Sequence, residues 1–191
     1  MNPIISSFEN IKSLINNSNV KIVAVSKTFS FDDIRPLVEY GHLHFGENKV
    51  QEAQSKWLNC KKDNPKLCLH MIGKLQSNKA KEAVKLFDYI HSLDNQKLAN
   101  ILAKQENITN KKLKYFIQVN IGNEKQKAGI GVNFLDDFFY YCVKELKLNV
   151  IGLMAIPPNN DNANDYFKKL TELNKLLGLK ESISNTGVQS F

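Results

Sequence analysis

Six times along the chain, a short run of apolar, mostly β-branched residues is followed by a longer segment with helical periodicity. This alternation limits the fold more than any other feature of the sequence. Ile4–Ile15 opens with Ile4, Ile5, Phe8, Ile11, Leu14 and Ile15 on one helical face. The predicted strands are then 21–26, 43–46, 67–72, 89–93, 113–121 and 150–156. The predicted helices are 31–40, 48–57, 77–86, 96–105, 134–146 and 164–177. Continuous apolar strands suit a sheet covered on both faces, and strands that alternate with helices suit parallel pairing. No Pro/Gly/Ser-rich linker interrupts the series, so residues 1–191 read as a single domain.

Two closures satisfy this pattern, an open doubly wound sheet or a (β/α)8 TIM-type barrel. The Gly-rich phosphate fingerprints GxGxxG and GxxxxGK[ST] are absent, which weakens the nucleotide-binding version of the open sheet. No apolar run approaches the ~20 residues of a membrane helix, so no membrane partner is expected. Met1-Asn2-Pro3-Ile4-Ile5 lacks the basic and apolar regions of a secretory signal. Cys60, Cys68 and Cys142 form no CxxC pair, and a reducing cytoplasm fits them. The net charge of +7 raises nucleic acid as a partner. Of 26 basic residues, however, only Arg35 is arginine, and base readout favours arginine. The lysines are spread along the chain, so no nucleic-acid partner is expected.

In parallel barrels and sheets, functional groups sit where strands end. The strand ends here carry Ser26-Lys27-Thr28, Gly46-Glu47-Asn48, His70-Met71-Ile72-Gly73, Ser92-Leu93-Asp94, Asn120, and Met154-Ala155-Ile156-Pro157. Lys27 directly follows an apolar strand. Poor solvation there would lower its pKa and supply a neutral amine for Schiff-base chemistry. The alternative is a lysine that snorkels to water. Asn48 could cap the following helix or face a ligand. His70 and Met71 alternate across a strand, so one of them points inward. His44, His70 and His91 fall on neighbouring strands without a metal-ligand spacing, and no metal is expected. Gln76, Ser77 and Asn78 open a helix, where capping is the simple role. Lys79 and Lys127 could attract an anion or lie exposed.

Five stretches taken together resemble a known family. They are Val23-Ala24-Val25-Ser26-Lys27-Thr28, Phe45–Glu52, His70–Lys79, Gln118–Ile121 with Lys127–Ile130, and Gly152–Pro157. In this order they resemble the pyridoxal-phosphate homeostasis proteins (the YggS/PROSC family) from about residue 20 to about residue 180. The resemblance implies a barrel like the N-terminal domain of alanine racemase. It also implies pyridoxal 5′-phosphate (PLP) as cofactor, held as a Schiff base on Lys27. The residues it suggests around the cofactor are Asn48, Met71, Gly73, Ser77, Asn120, Lys127 and Met154. It further implies a carrier or regulator without a catalytic reaction, with PLP-dependent apoenzymes as candidate recipients.

Residues 180–191 depart from the family pattern. A strand reading Ser-Met-Gly-Met-Ser and a later Arg-Ile-Gly strand are not found. The expectation is therefore an incomplete barrel of about six βα units plus an N-terminal helix. The tail reads as a C-terminal truncation, with a weakened hold on the phosphate. The rival functions are a racemase-like PLP enzyme and a non-functional truncated member. Racemases of this fold use a second acid/base group, commonly a tyrosine from an additional β domain, and nothing in these residues supplies that domain.

Overall fold

A computed structural model describes residues 2–15, 20–124, 126–158 and 163–184. Helix α1 (Pro3–Leu14) begins with proline at its first position, and the Asn2 side chain accepts from the Ile4 amide at 2.9 Å. The elements that follow are β1 (Ala24–Val25), α2 (Phe31–Glu39), β2 (His44–Glu47), α3 (Val50–Asp63) and β3 (Cys68–Met71). A 3₁₀ turn (Ser77–Lys79) leads into α4 (Ala80–Leu86), followed by β4 (Tyr89–Leu93), α5 (Gln96–Thr109), β5 (Lys114–Asn120) and β6 (Ile130–Gly131). The last elements are α6 (Leu135–Tyr140), β7 (Asn149–Ala155), α7 (Ala163–Leu176) and β8 (Glu181–Ser184).

The strands pair in the order β1-β2-β3-β4-β5-β7-β8, with β6 off this path against β5. Every pairing is parallel. The alternation expected from the sequence is therefore present, and so is the open form of the barrel. Among the described residues, β1 and β8 are the two ends of the sheet path.

Several expectations need correction. The first strand is only two residues long, not 21–26. β6 was not expected; it forms where Val119 and Asn120 pair with Ile130 and Gly131. The helix expected over 134–146 is α-helical only to Tyr140, and Tyr141–Glu145 widen into a π-turn. The tail departs from the family pattern in sequence, and its residues Glu181–Ser184 nevertheless pair in parallel with residues 152–155 of β7. Backbone hydrogen bonding accepts almost any sequence on an edge, so unlike side chains did not prevent the strand. At Gly152, a Cβ would lie 1.9 Å from the Glu181 carbonyl oxygen and 2.9 Å from the Phe116 ring, so this glycine lets β8 approach. Residues 185–191, the rest of the stretch that departs from the family pattern, lie outside the described residues.

Alternation along each strand divides the core in two. Phe45, Leu69, Ile90, Tyr115, Ile117 and Leu153 face the helices, with Trp57 of α3 fully buried among them. The Trp57 ring lies 4.7 Å from Phe45 and 5.9 Å from Phe31. The inner face carries Tyr89, Phe116 and Met154, with Cys68, Ile151 and Ile183 beside them. A register shift between Ile90 and Leu93 turns Leu93 back toward the helices. The division sets the environment of each candidate site residue.

Candidate functional site

All strands run parallel, so their C-terminal ends share one rim. Lys27 follows β1, Asn48 follows β2, Gly73 follows β3, Asn120 ends β5 and Pro157 follows β7. The sequence expectation of one shared rim therefore holds for these residues. Lys27 is half-buried, and among the described residues its amine has no hydrogen-bond or ion-pair partner. It sits in a turn with Thr28, whose φ is +70°. A β-branched residue in the left-handed region is a strained backbone.

Asn48 does not cap α3. The cap position is Lys49, without a side-chain cap bond. Asn48 instead packs against Gly73, where a Cβ would meet the Asn48 carbonyl oxygen at 2.5 Å and its Cβ at 2.8 Å. Only glycine allows these two loops to close together. Asn48, Met71 and Lys79 line a groove of about 460 Å³ with Lys49, Lys74, Leu75 and Gln76, which gives it both cationic and amide groups. Ser77, at the start of the 3₁₀ turn, is half-buried, and Gln76 before it makes no side-chain cap bond.

Three expected residues are placed differently from a simple inward ring. Met71 packs in the helix-facing core, while His70 faces the interior. Asn120 is engaged by its own loop: its Nδ2 donates to the Glu124 carbonyl at 2.8 Å and its Oδ1 accepts from the Glu124 amide at 3.1 Å. Lys127 is tied down as well. Its amine lies 2.6 Å from Glu124 Oε2 and donates to the Pro157 carbonyl at 3.0 Å, bridging the loops after β5 and β7. Met154 is buried beside Tyr89 and Phe116 on the inner face.

Below the rim, three imidazoles form a hydrogen-bonded line across β2, β3 and β4. His44 Nδ1 lies 3.0 Å from His70 Nε2, and His70 Nδ1 lies 2.9 Å from His91 Nε2. Tyr89 stacks on His70 at 4.1 Å. A neutral imidazole carries one N–H, so His70 donates to one neighbour and accepts from the other. Burial pushes the His70 pKa down to about 2, helped by the neighbouring His91 and His44 and by Lys61 and Lys114. Burial likewise lowers His91 to about 3. Among the described residues, no group of three or more His, Cys, Asp or Glu is arranged to hold a metal ion.

Sequence reasoning did not anticipate the network behind Lys27. Glu47 is fully buried, and its Oε1 accepts from Ser26 Oγ at 2.8 Å, Lys56 Nζ at 2.8 Å and Trp57 Nε1 at 2.9 Å. One signal was available: an acid placed between an apolar strand and Asn48, with Lys56 and Trp57 adjacent on the helix that follows.

A parallel α/β sheet curved as an open barrel, with helices alternating between its strands, is the class of the alanine racemase N-terminal barrel. The family model for the alanine racemase N-terminal domain matches residues 3–190. The chain belongs to this family and, within it, to the pyridoxal phosphate homeostasis proteins. The protein of that name from Pasteurella multocida is 36% identical over 175 residues, covering 91% of this chain and 75% of the relative. The one from Aquifex aeolicus is 37% identical over 156 residues, covering 80% and 68%. This chain is thus shorter than either relative.

Among solved structures, PipY of Synechococcus elongatus PCC7942 without PLP superimposes with a TM-score of 0.84 at 32% identity, covering 94% of this chain and 87% of that one. PipY with PLP bound gives 0.80 at 30% identity, over the same shares of the two chains. Alanine racemase of Clostridium difficile gives 0.71 at 11% identity and covers 93% of this chain and 48% of that one, a likeness of fold alone. Among the described residues, no helix is long and apolar enough to cross a membrane.

Proposed function

We propose that this protein binds PLP at the C-terminal rim and serves PLP homeostasis as a carrier, with Lys27 holding the cofactor covalently as a Schiff base. The observation that carries this reading is the half-buried Lys27 on a strained turn at that rim, its amine without a partner among the described residues. The relatives' names and the PLP-bound PipY structure support the same choice of ligand. The residues present fit the group. Lys27 supplies an amine, the close Asn48–Gly73 contact joins two of the rim loops, and the groove beside Asn48 offers Lys79 and Lys74 to an anion. When bound, PLP supplies an aldehyde carbon that a neutral amine can attack.

The chain's own groups account for holding rather than turnover. Lys127 and Asn120 stiffen the loops beside the rim, and Met154 with Tyr89 and Phe116 closes the interior beneath it to water. PLP-dependent apoenzymes would receive the cofactor. A reducing cytoplasm is the compartment we assign, in keeping with free Cys60, Cys68 and Cys142.

The test is an absorbance spectrum with and without added PLP, before and after borohydride reduction, on the original chain and on Lys27→Ala. The original chain should gain a near-visible band that reduction abolishes, leaving a stable adduct. Lys27→Ala should lose both. Persistence of the adduct at unchanged stoichiometry in Lys27→Ala would remove Lys27 as the anchor.

A further inference from the structure

Ser26, the residue before Lys27, is held at each of its polar atoms. Its amide donates to the Gly46 carbonyl at 2.9 Å. Its carbonyl accepts from Lys56 Nζ at 2.7 Å and from the Phe29 amide at 3.3 Å. Its hydroxyl donates to Glu47 Oε1 at 2.8 Å. Lys56 therefore grips the Ser26 carbonyl and the Glu47 carboxylate at once, with its side chain only 10% exposed. Immediately after this grip comes the Lys27-Thr28 turn, with Thr28 at φ +70°.

A strained backbone persists only where its surroundings over-determine it. The surroundings here are a buried ion pair. Such a pair is poor value as a staple, because packed apolar residues of similar volume usually stabilise as well or better. Among the described residues, Glu47 Oε2 also has no hydrogen-bond partner. Stability alone does not explain an arrangement that leaves a buried carboxylate oxygen unmatched. Its geometric effect does: it pins the residue from which the strained turn departs.

We infer that the Glu47–Lys56 ion pair is a positioning device for Lys27, holding Ser26 so that the strained turn presents the lysine amine at the rim. The inference rests on the reading of Lys27 as the PLP anchor. If the pair is broken, Thr28 can relax to negative φ, and the root of the Lys27 side chain moves with it. Glu47 and Lys56 are positioning residues; neither is required to touch the cofactor.

The experiment has two readouts. In the ligand-free protein, trace acetylation of lysines is mapped by peptide mass spectrometry, and Lys27 labelling is divided by that of Lys79, which lies outside the network. With PLP, the rate of borohydride-trapped adduct at Lys27 is measured per folded molecule. Glu47→Gln and Lys56→Met should change the labelling ratio at least threefold and slow trapping at least tenfold, at temperatures where melting curves show them folded. Lys56→Arg, which keeps the charge and donors, should restore most of both. A loss of melting temperature with labelling and trapping unchanged means a merely structural role and overturns the inference. If those variants do not fold, Ser26→Ala carries the test, since it keeps the ion pair and cuts only its hydroxyl link. About a twofold change in ratio is expected, and an unchanged ratio overturns the inference. If the original chain traps no PLP at Lys27 while the ratio still responds to Glu47→Gln, the anchor reading fails and the positioning role stands. If trapping at Lys27 is equal in the original chain and all variants, the positioning role fails and the anchor reading stands.

Discussion

Two fully buried glutamates stand at opposite ends of the sheet, and their partners differ. Glu106 lies near the end of α5, beside the start of β5. Its Oε1 accepts from the Leu113 amide at 2.7 Å and the Tyr115 hydroxyl at 3.0 Å, and its Oε2 from Lys112 at 2.9 Å. Both oxygens are satisfied, and every partner is within ten residues in sequence. The arrangement ties one helix to the next strand and pushes the Tyr115 hydroxyl pKa far up, through burial and the adjacent carboxylate. Glu47, at the end of β2, uses one oxygen among the described residues and joins its strand to Ser26 after β1 and to Lys56 and Trp57 of α3. In barrels of this kind the N-terminal face carries stability and the C-terminal face carries function. The two carboxylates divide in the same way: Glu106 ties a helix to the next strand, and Glu47 is the one we infer to position Lys27.

The sharpest way to break this contrast is Glu106→Ala. It leaves the Leu113 amide and the Tyr115 hydroxyl buried without an acceptor, so stability should fall by about 3–5 kcal/mol in urea denaturation. Trapping of PLP at Lys27, per folded molecule, should not change. A drop in trapping as large as that in Glu47→Gln would erase the distinction.

Acid provides the next largest effect and acts between the two ends. His70 and His91 have pKa values of about 2 and about 3 in the folded chain, depressed mainly by burial. The unfolded value is ~6.5. The unfolded chain therefore binds more protons below that pH. The stability from these two groups is present above ~6.5 and is lost as pH falls toward the folded values. Between pH 7 and pH 5 the loss should be roughly 3–4 kcal/mol for the pair. Denaturation midpoints across that range measure it, and a flat profile would mean that the imidazole line is hydrated. His91→Phe should remove about half of the slope.

Thr28→Gly sharpens the contrast at the rim. Glycine relieves the left-handed backbone, but its unfolded chain has more freedom to lose. A net gain in stability of at most ~1 kcal/mol is expected, together with slower trapping at Lys27, so stability and anchoring should move in opposite directions. If they rise together, the strain serves no purpose at the site. The smallest effect belongs to Arg35→Ala. The Arg35–Asp32 pair is exposed and one helical turn apart, so the change should stay within about 0.5 kcal/mol and leave trapping untouched.

Much of the architecture was legible because it depends on periodicity, which is local. The strand over Tyr89–Leu93 lies where the apolar run lies. What escaped depends on partners distant in sequence. The Tyr141–Glu145 π-turn is a local exception, with no compositional mark of its own. At the candidate site, the rim position of Lys27, Asn48 and Gly73 was legible from their place after apolar strands. That Asn120 and Lys127 spend their polar atoms on Glu124 and Pro157 depends on loop closure, which strand-end reasoning does not resolve. The grip on Ser26 spans 30 residues to Lys56, so neither sequence segment reveals it alone.

The most direct test of the account is the distribution of the borohydride-reduced PLP adduct over every lysine of the original chain, mapped by peptide mass spectrometry at stoichiometric PLP. A rim with one positioned amine predicts a single dominant site at Lys27, with Lys79 and Lys127 at background. An adduct spread over the exposed lysines, or centred on Lys79 or Lys127, would contradict it.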